Sequence, residues 1–448
     1  MVGLEDLDVR MTRVAVIGAG WAGATAALML ARAGIHVTVF EANSIAGGRA
    51  RVVEKSGHLF DNGQHLLLGA YARSLAMIDS LHAAHSAHDA PYLRLPLMLQ
   101  SAPNTSLPLS LAAPNLPAPI HLLAAIIGAK GFSFTEKLAA AWWAARHLRD
   151  GSISAAATVS QVIEKQPARV RRLLWEPLCI AALNTPPDVA SASVFVEVLK
   201  RSFTGDARGS DLIIPRVNLT ALLPEPALKA VRSMGGEVWR STYVTSVATT
   251  KSGATVRLRD ESTQAFDFVI VATGPQHLPR LLSEVPAALE VVERTRTLTY
   301  EPITTLHFDF SYRDLGPNHQ VPMHMLDGSP GQWVFWHSLA NGHWRASVVI
   351  SVDHRAGSES CLISETLSQL TRSYRLPTPL WQFVVTEKRA TYSCTPSQCQ
   401  ILTDIPKQIG RLVFAGDWCV SELPATLEAA VISGERAAQR IILEVNHD

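Results

Sequence analysis

The sequence lacks the features of several protein classes. Its 40 lysines and arginines balance 39 acids at a net charge of +1, so no charge excess indicates a nucleic-acid partner. The five cysteines are scattered, without a CxxC pair or Cys/His cluster. This predicts no metal site and favours reduced thiols of a cytosolic protein. No run of about 20 apolar residues is present, so no transmembrane helix is predicted.

The N-terminus also lacks a targeting signal. Residues 1–13 are acidic and then polar, without the apolar core of a secretory signal, and Met11 is an alternative start. A chain of 448 residues that is 47% hydrophobic predicts a globular protein with a large core and room for two domains. We expect a cytoplasmic protein, with peripheral binding to the inner face of the cell membrane as an open alternative.

The first recognisable motif is a glycine turn between a buried strand and a helix. Val14–Ile17 predict a parallel strand, and Gly18, Gly20 and Gly23 follow at the spacing of a dinucleotide fingerprint. Gly18 permits a tight turn, Gly20 lets the backbone approach a pyrophosphate, and Gly23 lets the helix at 24–33 pack on the strand. The helix N-terminus attracts the phosphates.

An acidic residue completes this pattern. A second strand at 37–40 ends in Glu41, where a carboxylate takes both hydroxyls of an adenosine ribose. Glu41 argues against a ligand with a 2′-phosphate, because two negative groups would meet. It does not separate FAD from NAD.

Two polar segments follow the fingerprint. Gly47, Gly48 and Arg49 offer backbone for a phosphate or a ring with a cation beside it, although an ordinary turn is equally compatible. The segment 60–65 (Phe-Asp-Asn-Gly-Gln-His) leads into the apolar residues 66–69. Polar groups on the way to a buried segment need partners.

These motifs together resemble the start of the amine oxidase and phytoene desaturase superfamily of flavoproteins. The sequence of residues 61–71 resembles the corresponding segment of the squalene-associated branch, the hydroxysqualene dehydroxylase family. The resemblance implies FAD as the cofactor, with Gly48, Arg49, Gly63 and Gln64 beside it.

The C-terminal part resembles the closing motif of the same superfamily. A buried strand at 411–415 ends in Gly416 and Asp417, and a helix is predicted over 426–434. The resemblance implies that Asp417 reaches the ribityl and pyrophosphate groups. It also implies that Thr426 and Leu427 direct amides at the flavin pyrimidine. Ala429 stands where the family pattern has glycine.

The expected fold class is α/β with α+β character. A discontinuous Rossmann-like FAD-binding domain is expected at 11–89, 205–277 and 390–448, with a mixed-sheet and helical substrate domain at 90–204 and 278–389. Strands are predicted at 304–310, 332–339 and 343–352, the last two joined by a turn at 340–342. A single helix is predicted at 219–234, and the resemblance implies that Val244 lies against the adenine.

The middle of the chain is apolar and leaves two alternatives open. Residues 120–129 and 134–148 predict helices, the second with two tryptophans and a basic end. They either line an apolar cavity as core helices or contact a membrane interface near 119–149. Residues 168–200 predict helix that is interrupted at Pro177 and at 185–187.

The resemblance implies a reaction. A hydroxysqualene dehydroxylase would remove an allylic hydroxyl from an apolar C30 isoprenoid and deliver hydride from reduced flavin to the resulting cation, giving squalene. His65 and Glu301 are the candidate acids, and either is also compatible with a structural role. The alternatives are an oxidative carotenoid-type desaturase or amine oxidase, and a non-catalytic flavin-dependent binding protein. No second GxGxxG is evident, so NAD(P)H and a redox partner both remain open as electron donor.

Overall fold

The computed structural model describes residues 11–83, 89–150, 153–206, 208–311, 322–339, 342–355 and 357–447. Residues 1–10 and two positions of the predicted 340–342 turn lie outside these ranges. Among the residues described, none of the helices is both long enough and apolar enough to cross a bilayer.

The strands, numbered in chain order, are β1 (Arg13–Ile17), β2 (His36–Phe40), β3 (Val52–Lys55), β4 (His58–Asp61), β5 (Leu67–Leu68), β6 (Tyr92–Leu95), β7 (Met98–Gln100), β8 (Ser110–Ala112), β9 (Leu212–Pro215), β10 (Glu237–Trp239), β11 (Val244–Thr249), β12 (Ala254–Leu258), β13 (Thr263–Phe266), β14 (Phe268–Val271), β15 (Tyr300–Ser311), β16 (Met323–Met325), β17 (Trp333–Ser338), β18 (His343–Ser351), β19 (Trp381–Tyr392), β20 (Gln408–Ile409) and β21 (Leu412–Phe414).

The helices are α1 (Trp21–Arg32), α2 (Ala72–Leu81), α3 (Ile120–Gly128), α4 (Phe134–Asp150), α5 (Val159–Ile163), α6 (Ala168–Val170), α7 (Glu176–Leu183), α8 (Ala192–Phe203), α9 (Leu219–Leu222), α10 (Pro224–Ser233), α11 (Leu278–Leu281), α12 (Leu289–Arg296), α13 (Glu359–Tyr374), α14 (Pro396–Asp404) and α15 (Leu427–Val445).

A six-stranded sheet carries the fingerprint motifs, in the order β10-β2-β1-β14-β21-β20. Its pairings are parallel except for the antiparallel edge strand β20. The predicted strands at 14–17, 37–40 and 411–415 are confirmed as β1, β2 and β21. All six strands come from the three segments expected to form the FAD-binding domain, although the domain boundaries themselves stay a prediction.

Two glycines let helices approach the turn after β1. A Cβ atom on Gly23 would lie 1.9 Å from the Gly18 carbonyl oxygen, so only glycine allows α1 to start this close to the turn. Helix α15 packs on α1, and a Cβ atom on Gly434 would lie 2.2 Å from the Ala22 carbonyl oxygen. The first and last helices therefore meet at the end of β1.

A five-stranded sheet, in the order β16-β17-β18-β15-β19, forms the second large layer. The expected mixed sheet is antiparallel at all of these pairings, with one parallel bridge between Ser101 and Met325 at its edge. One face packs under α13 through Leu306, Phe308 and other apolar side chains. The opposite face is turned towards the segment at 58–65.

Two details of the predicted helices are wrong. Pro177 does not interrupt its helix, because the chain widens into a π-turn at 171–175 and continues into α7. A π-turn accommodates the carbonyl that a proline cannot hydrogen-bond. The predicted helix at 219–234 divides into α9 and α10 at Leu223, since the residue before Pro224 disfavours helical geometry.

Candidate functional site

The glycine turn after β1 meets Glu41 at the end of β2. Gly18 has a φ of +102°, and its amide donates to the Phe40 carbonyl oxygen over 2.8 Å. The buried Glu41 carboxylate accepts hydrogen bonds from the amides of Ala19 and Asn43, each over 2.8 Å. Backbone donors thus fix this carboxylate at the carboxyl ends of two parallel strands, where dinucleotides bind.

A second glycine pair closes against this turn. Gly20 and Gly47 form a parallel β-bridge, and the Gly47 amide donates to the Ala19 carbonyl oxygen over 2.9 Å. A Cβ atom on Gly48, whose φ is +62°, would lie 3.3 Å from the Gly20 Cα atom. Helix α1 begins here, with no capping side chain and no acid in its first turn. Its first amides are therefore suited to an anionic ligand.

Arg49 joins this loop to the other end of the chain. Its Nη2 lies 2.6 Å from Asp417 Oδ1, and its Nη1 donates to the Ala390 carbonyl oxygen over 2.8 Å. Asp417 is buried, and the amide of the preceding Gly416 donates to Ser433 Oγ over 2.8 Å. The structure thus brings together Gly48, Arg49, Gly416 and Asp417, which lie far apart in sequence.

A cavity opens beside this ion pair. Its walls include Arg49, Gly274, Tyr300, Tyr392, Asp417 and Trp418. The buried hydroxyl of Tyr300 has no hydrogen-bond partner among the described residues. Leaving such a group unpaired costs about 1–3 kcal/mol, so the cavity suits a ligand with a polar edge.

The N-terminus of α15 lies next to this region. Thr426 caps it, with its Oγ1 accepting a hydrogen bond from the Ala429 amide over 3.1 Å. Glu428 lies in the first turn of α15, but its buried carboxylate points to α2. There it accepts hydrogen bonds from the amides of Arg73 and Ser74 over 2.9 and 2.8 Å. The positive end of the α15 dipole at Leu427 is therefore left for another anion.

Val244, the first residue of β11, lies near the Glu41 end of the fingerprint. The Thr242 amide donates to the Glu41 carbonyl oxygen over 2.9 Å. The carbonyl oxygen of the buried Val244 accepts a hydrogen bond from Arg280 Nη1 over 3.1 Å. A contact between Val244 and an adenine stays a prediction.

The segment at 58–65 covers one face of the antiparallel sheet. The Phe60 ring packs with centroid distances of 5.1 Å against both His307 and Phe383. Asn62 Nδ2 donates to Glu387 over 3.2 Å. Phe60 and Asn62 therefore join this segment to β15 and β19.

Gly63, Gln64 and His65 continue along this face. The His337 Nε2–H donates to Gln64 Oε1 over 2.9 Å. A Cβ atom on Gly63, whose φ is +102°, would lie 3.7 Å from His65 Nε2 and 3.9 Å from Thr305 Oγ1. The glycine thus leaves space between an imidazole and a hydroxyl.

Below this segment, the side chains on the sheet face become more polar from the Trp333 end of β17 to its His337 end. Side chains two residues apart share a face, and successive rows are about 7 Å apart. The three rows across β17, β18 and β15 are Trp333–Val349–Thr305, Phe335–Ser347–His307 and His337–Arg345–Asp309. We call them the apolar, middle and polar rows.

The polar row contains a satisfied ion pair. Arg345 Nε and Nη2 lie 2.7 and 2.9 Å from the two oxygens of Asp309, and both residues are buried. Arg345 Nη1 donates to the Leu59 carbonyl oxygen over 3.0 Å. These charges are paired with one another and with the backbone, so they do not need a ligand.

The middle row leaves polar atoms without partners. His307 Nδ1 lies 2.9 Å from Ser347 Oγ, whereas His307 Nε2 and the neighbouring Thr305 Oγ1 are buried and unpartnered among the described residues. Burial lowers the pKa of His307 to about 3, and the pKa of His337 and of His65 to about 4. All three imidazoles are therefore neutral at pH 7.

An apolar cavity adjoins the other end of the sheet. It is partly open to solvent, and every wall residue has a hydrophobic side chain. Its walls include Leu97, Leu122, Ile126, Trp143, Trp175 and Phe203. These residues form one hydrophobic cluster with Trp333, Val349 and Phe335 of the sheet. The apolar row thus leads from the polar groups to a hydrocarbon-lined space.

Comparison with known proteins agrees with this geometry. The family model of flavin containing amine oxidoreductases matches residues 21–442. The chain belongs to this family. FAD is therefore its cofactor, and the protein is an FAD-dependent oxidoreductase.

Individual relatives and one solved structure resemble the chain over nearly its whole length. A hydroxysqualene dehydroxylase of Sinorhizobium fredii is 28% identical and covers 97% of this chain and 99% of its own. A 15-cis-phytoene desaturase of Synechococcus elongatus is 23% identical, with 96% of each chain covered. A putrescine oxidase structure superposes with a TM-score of 0.72 at 15% identity, covering 97% of this chain and 99% of the other. This likeness supports the fold alone.

The residues of the flavoprotein fit the cofactor. The uncapped α1 N-terminus suits the pyrophosphate, Glu41 suits the adenosine ribose, and the cavity beside Tyr300 suits a ring with polar edges. We propose that Gly18, Gly20, Gly23, Glu41, Gly48, Arg49, Gly63, Gln64, Val244, Gly416, Asp417, Thr426 and Leu427 hold FAD.

The structure does not bring the two candidate acids together. Glu301 accepts a hydrogen bond from Ser393 Oγ over 2.6 Å, and its other carboxylate oxygen lies 2.6 Å from His354 Nε2. It precedes Thr305 by four strand residues, or about 13 Å, whereas His65 lies close to Thr305. The two residues thus occupy separate environments.

Sequence reasoning missed the middle row and one carboxyl group. Thr305 and His307 alternate with core residues, and this alternation indicated only a half-buried strand. Burial raises the pKa of Asp61 to about 7, against the opposing effect of the Leu219 amide, which donates to Oδ1 over 2.9 Å. A carboxyl group in a segment flanked by apolar residues was the available signal.

Proposed function

We propose that the flavoprotein reduces hydroxysqualene to squalene. The allylic C–O bond breaks as the hydroxyl takes a proton and leaves as water, and a hydride forms the new C–H bond. Reduced FAD, when bound, supplies this hydride and is oxidised by two electrons. The observation that carries the proposal is the passage from a hydrocarbon-lined cavity to unpartnered polar atoms on one sheet face.

The substrate that fits this face is a long hydrocarbon with one hydroxyl group. We place the hydroxyl at His307 Nε2 and Thr305 Oγ1, which have no hydrogen-bond partner within the part of the chain that the structure describes. The hydrocarbon follows the apolar row, through Trp333, into the cavity. A small polar amine has no long hydrocarbon chain that could fill this apolar cavity. The Sinorhizobium fredii relative supports the same substrate.

The apolar walls also offer water no hydrogen-bond partner. Bulk water would trap an allylic cation, so a cavity filled by the hydrocarbon of the substrate protects the cation until the hydride arrives. Ser347 orients His307 through Nδ1, which leaves Nε2 for the substrate oxygen. Gln64 orients the His337 ring through a hydrogen bond from the other ring nitrogen, Nε2.

The proton source is a separate question. Neutral His65 accepts a proton more readily than it donates one at pH 7, because burial lowers its pKa to about 4. Glu301 is hydrogen-bonded to Ser393 and paired with His354. We retain both as proposed acids. Asp61, in the same segment as His65, has a pKa raised by burial to about 7, but its Oδ1 accepts the Leu219 amide, so we include it in the test only as a further titratable group.

Single-turnover oxidation of the pre-reduced flavoprotein by substrate tests these residues. His65→Gln, Glu301→Gln and Asp61→Asn are compared at pH 6, 7 and 8, with FAD content as the control for folding. The acid is the residue whose loss slows the reaction at least about 100-fold, which is the usual size of a general-acid effect. An unchanged rate removes that residue from the mechanism.

A second candidate is an oxidative desaturase that uses oxidised FAD. The similarity to a phytoene desaturase and the hydrocarbon-lined cavity favour this over an amine oxidase. Oxidation would have no use for His307 Nε2 and Thr305 Oγ1, which have no hydrogen-bond partner among the described residues, and this is why we place it second.

A product assay separates these reactions. The FAD-loaded protein is incubated with hydroxysqualene, squalene, phytoene or an amine, each under reducing and oxidising conditions. The proposal predicts squalene from hydroxysqualene under reducing conditions alone. Desaturated phytoene, or an aldehyde from the amine, with no squalene formed would contradict it. The electrons for this reduction come from NAD(P)H or from a redox partner protein.

A further inference from the structure

A cluster of apolar side chains is exposed on one side of the helical region. We call it the hairpin surface, since α3, α4 and the residues just before them supply it. Its six residues are between 40% and 70% exposed. They are Leu116, Ile120, Ile127, Phe134, Leu138 and Trp142.

The two helices are apolar on both sides. Ile120 and Ile127 lie two turns apart on α3, and Phe134, Leu138 and Trp142 follow one another at one-turn spacing on α4. The opposite sides of both helices pack into one hydrophobic cluster, and the helices contact each other. The outer side of each helix therefore presents apolar side chains at helical spacing, and these are suited to an apolar partner.

The same helices and the loop between them also carry cations. Lys130, Arg146 and Arg149 are exposed, and Lys137 is half-buried. The one acid between residues 130 and 149 is Glu136, which accepts a hydrogen bond from the Ser133 amide over 2.7 Å. These cations complement an anionic partner rather than a second copy of the same cationic surface.

The tryptophan and its neighbour resemble interfacial anchors of membranes. The Arg146 guanidinium lies 5.4 Å above the Trp142 ring. Tryptophan and arginine are favoured at the level of lipid headgroups, where one part of the side chain is apolar and the other hydrated. With nine residues, α3 is too short to cross a bilayer but can lie in its interface.

We propose that the hairpin surface docks the flavoprotein on an anionic lipid bilayer. The same two helices line the apolar cavity on their inner side, through Leu122, Ile126, Trp143 and Leu148. The docked hairpin therefore places the cavity wall next to the hydrocarbon of the membrane. This link to the substrate rests on the proposed function, whereas docking itself rests on exposure and charge.

Vesicle flotation of the full-length FAD-bound protein tests the proposal. Vesicles of phosphatidylcholine alone are compared with vesicles that also contain phosphatidylglycerol, at low and high salt. We expect flotation with the anionic vesicles, weakened by salt. Each cation removed by R146Q or R149Q lowers partitioning about fivefold. Phe134→Ser with Trp142→Ser lowers it at least about tenfold, since two large apolar side chains lose their burial.

Matched controls change equally exposed residues elsewhere. Leu289→Ser with Leu443→Ser, at 62% and 59% exposure, and Lys229→Gln with Arg232→Gln on α10 should float like wild type. Retained FAD absorbance shows that each variant is folded. Failure of the wild type to float, or equal flotation of the F134S/W142S variant, overturns the proposal.

A second copy of the chain is the competing occupant. Sedimentation velocity without lipid would then show a dimer that the F134S/W142S variant abolishes, and that result also overturns docking on lipid. Flotation requires no turnover, so it is independent of the reaction. Protein that floats but makes no squalene refutes the proposed function alone, and active protein that does not float refutes docking alone.

Discussion

The buried imidazole of His307 makes the stability of the protein sensitive to acid. Its pKa is about 3 in the folded chain, against about 6.5 for an unperturbed histidine. Between these values the unfolded chain binds a proton that the folded chain does not. The contribution of this residue to stability is therefore complete above about pH 6.5 and is lost as the pH falls.

The size of the effect follows from these pKa values. At pH 5 the loss is about 2 kcal/mol, since each unit below 6.5 costs about 1.4 kcal/mol. For 448 residues the entropy of unfolding is about 0.9 kcal/mol/K, so this corresponds to about 2 °C in Tm. Asparagine at position 307 keeps an amide opposite Ser347 Oγ and removes the titrating group.

Thermal unfolding at pH 7.5 and pH 5.0 measures this difference. Between pH 7.5 and pH 5.0, the Tm of the wild type should fall by about 2 °C more than the Tm of His307→Asn. The exposed His447 provides the control, and His447→Gln should follow wild type. Equal losses for H307N and wild type would show that His307 is not a buried neutral imidazole, and the assignment of the middle row would fail.

Three further predictions concern the cofactor domain. Gly434→Ala should lower the free energy of unfolding by about 1–3 kcal/mol and weaken FAD retention, because the new Cβ atom meets the Ala22 carbonyl oxygen. Gly205→Ala, which meets no atom closer than 3.9 Å, is its control in the same unfolding assay. Glu428→Ala should destabilise the protein by about 1–2 kcal/mol by uncapping α2, measured as a fall in Tm, and a neutral result would contradict that role. The proposed contact of Glu41 with the ribose predicts that Glu41→Ala weakens FAD binding about 10- to 100-fold in fluorescence titration, and unchanged affinity would remove Glu41 from the site.

The fingerprint strands and the helices beside them were predictable because their signals are local. Glycine spacing, apolar runs and a terminal acid at 14–41 each report on a few neighbouring residues. The strand and helix that end the chain, at Gly416 and Thr426, were predictable for the same reason. The family pattern implied that Arg49 and Asp417 both lie beside FAD, but their ion pair was not predicted, since nothing local joins residues 49 and 417.

The middle row could not be predicted. His307, Ser347 and Phe335 come from three strands, and only the register of β17, β18 and β15 places them side by side. On each strand alone they alternate with core residues and resemble an ordinary half-buried pattern. The break at Leu223 was missed because the apolar periodicity continues through Pro224 and outweighed the proline signal.

The direction of hydride transfer is the central claim, and an isotope experiment tests it most directly. The flavoprotein is reduced without oxygen in D₂O and mixed with one equivalent of hydroxysqualene. We predict reoxidised flavin and squalene that carries one deuterium at the carbon that bore the hydroxyl. Reduced flavin that stays reduced, or squalene without deuterium at that carbon, would contradict the account.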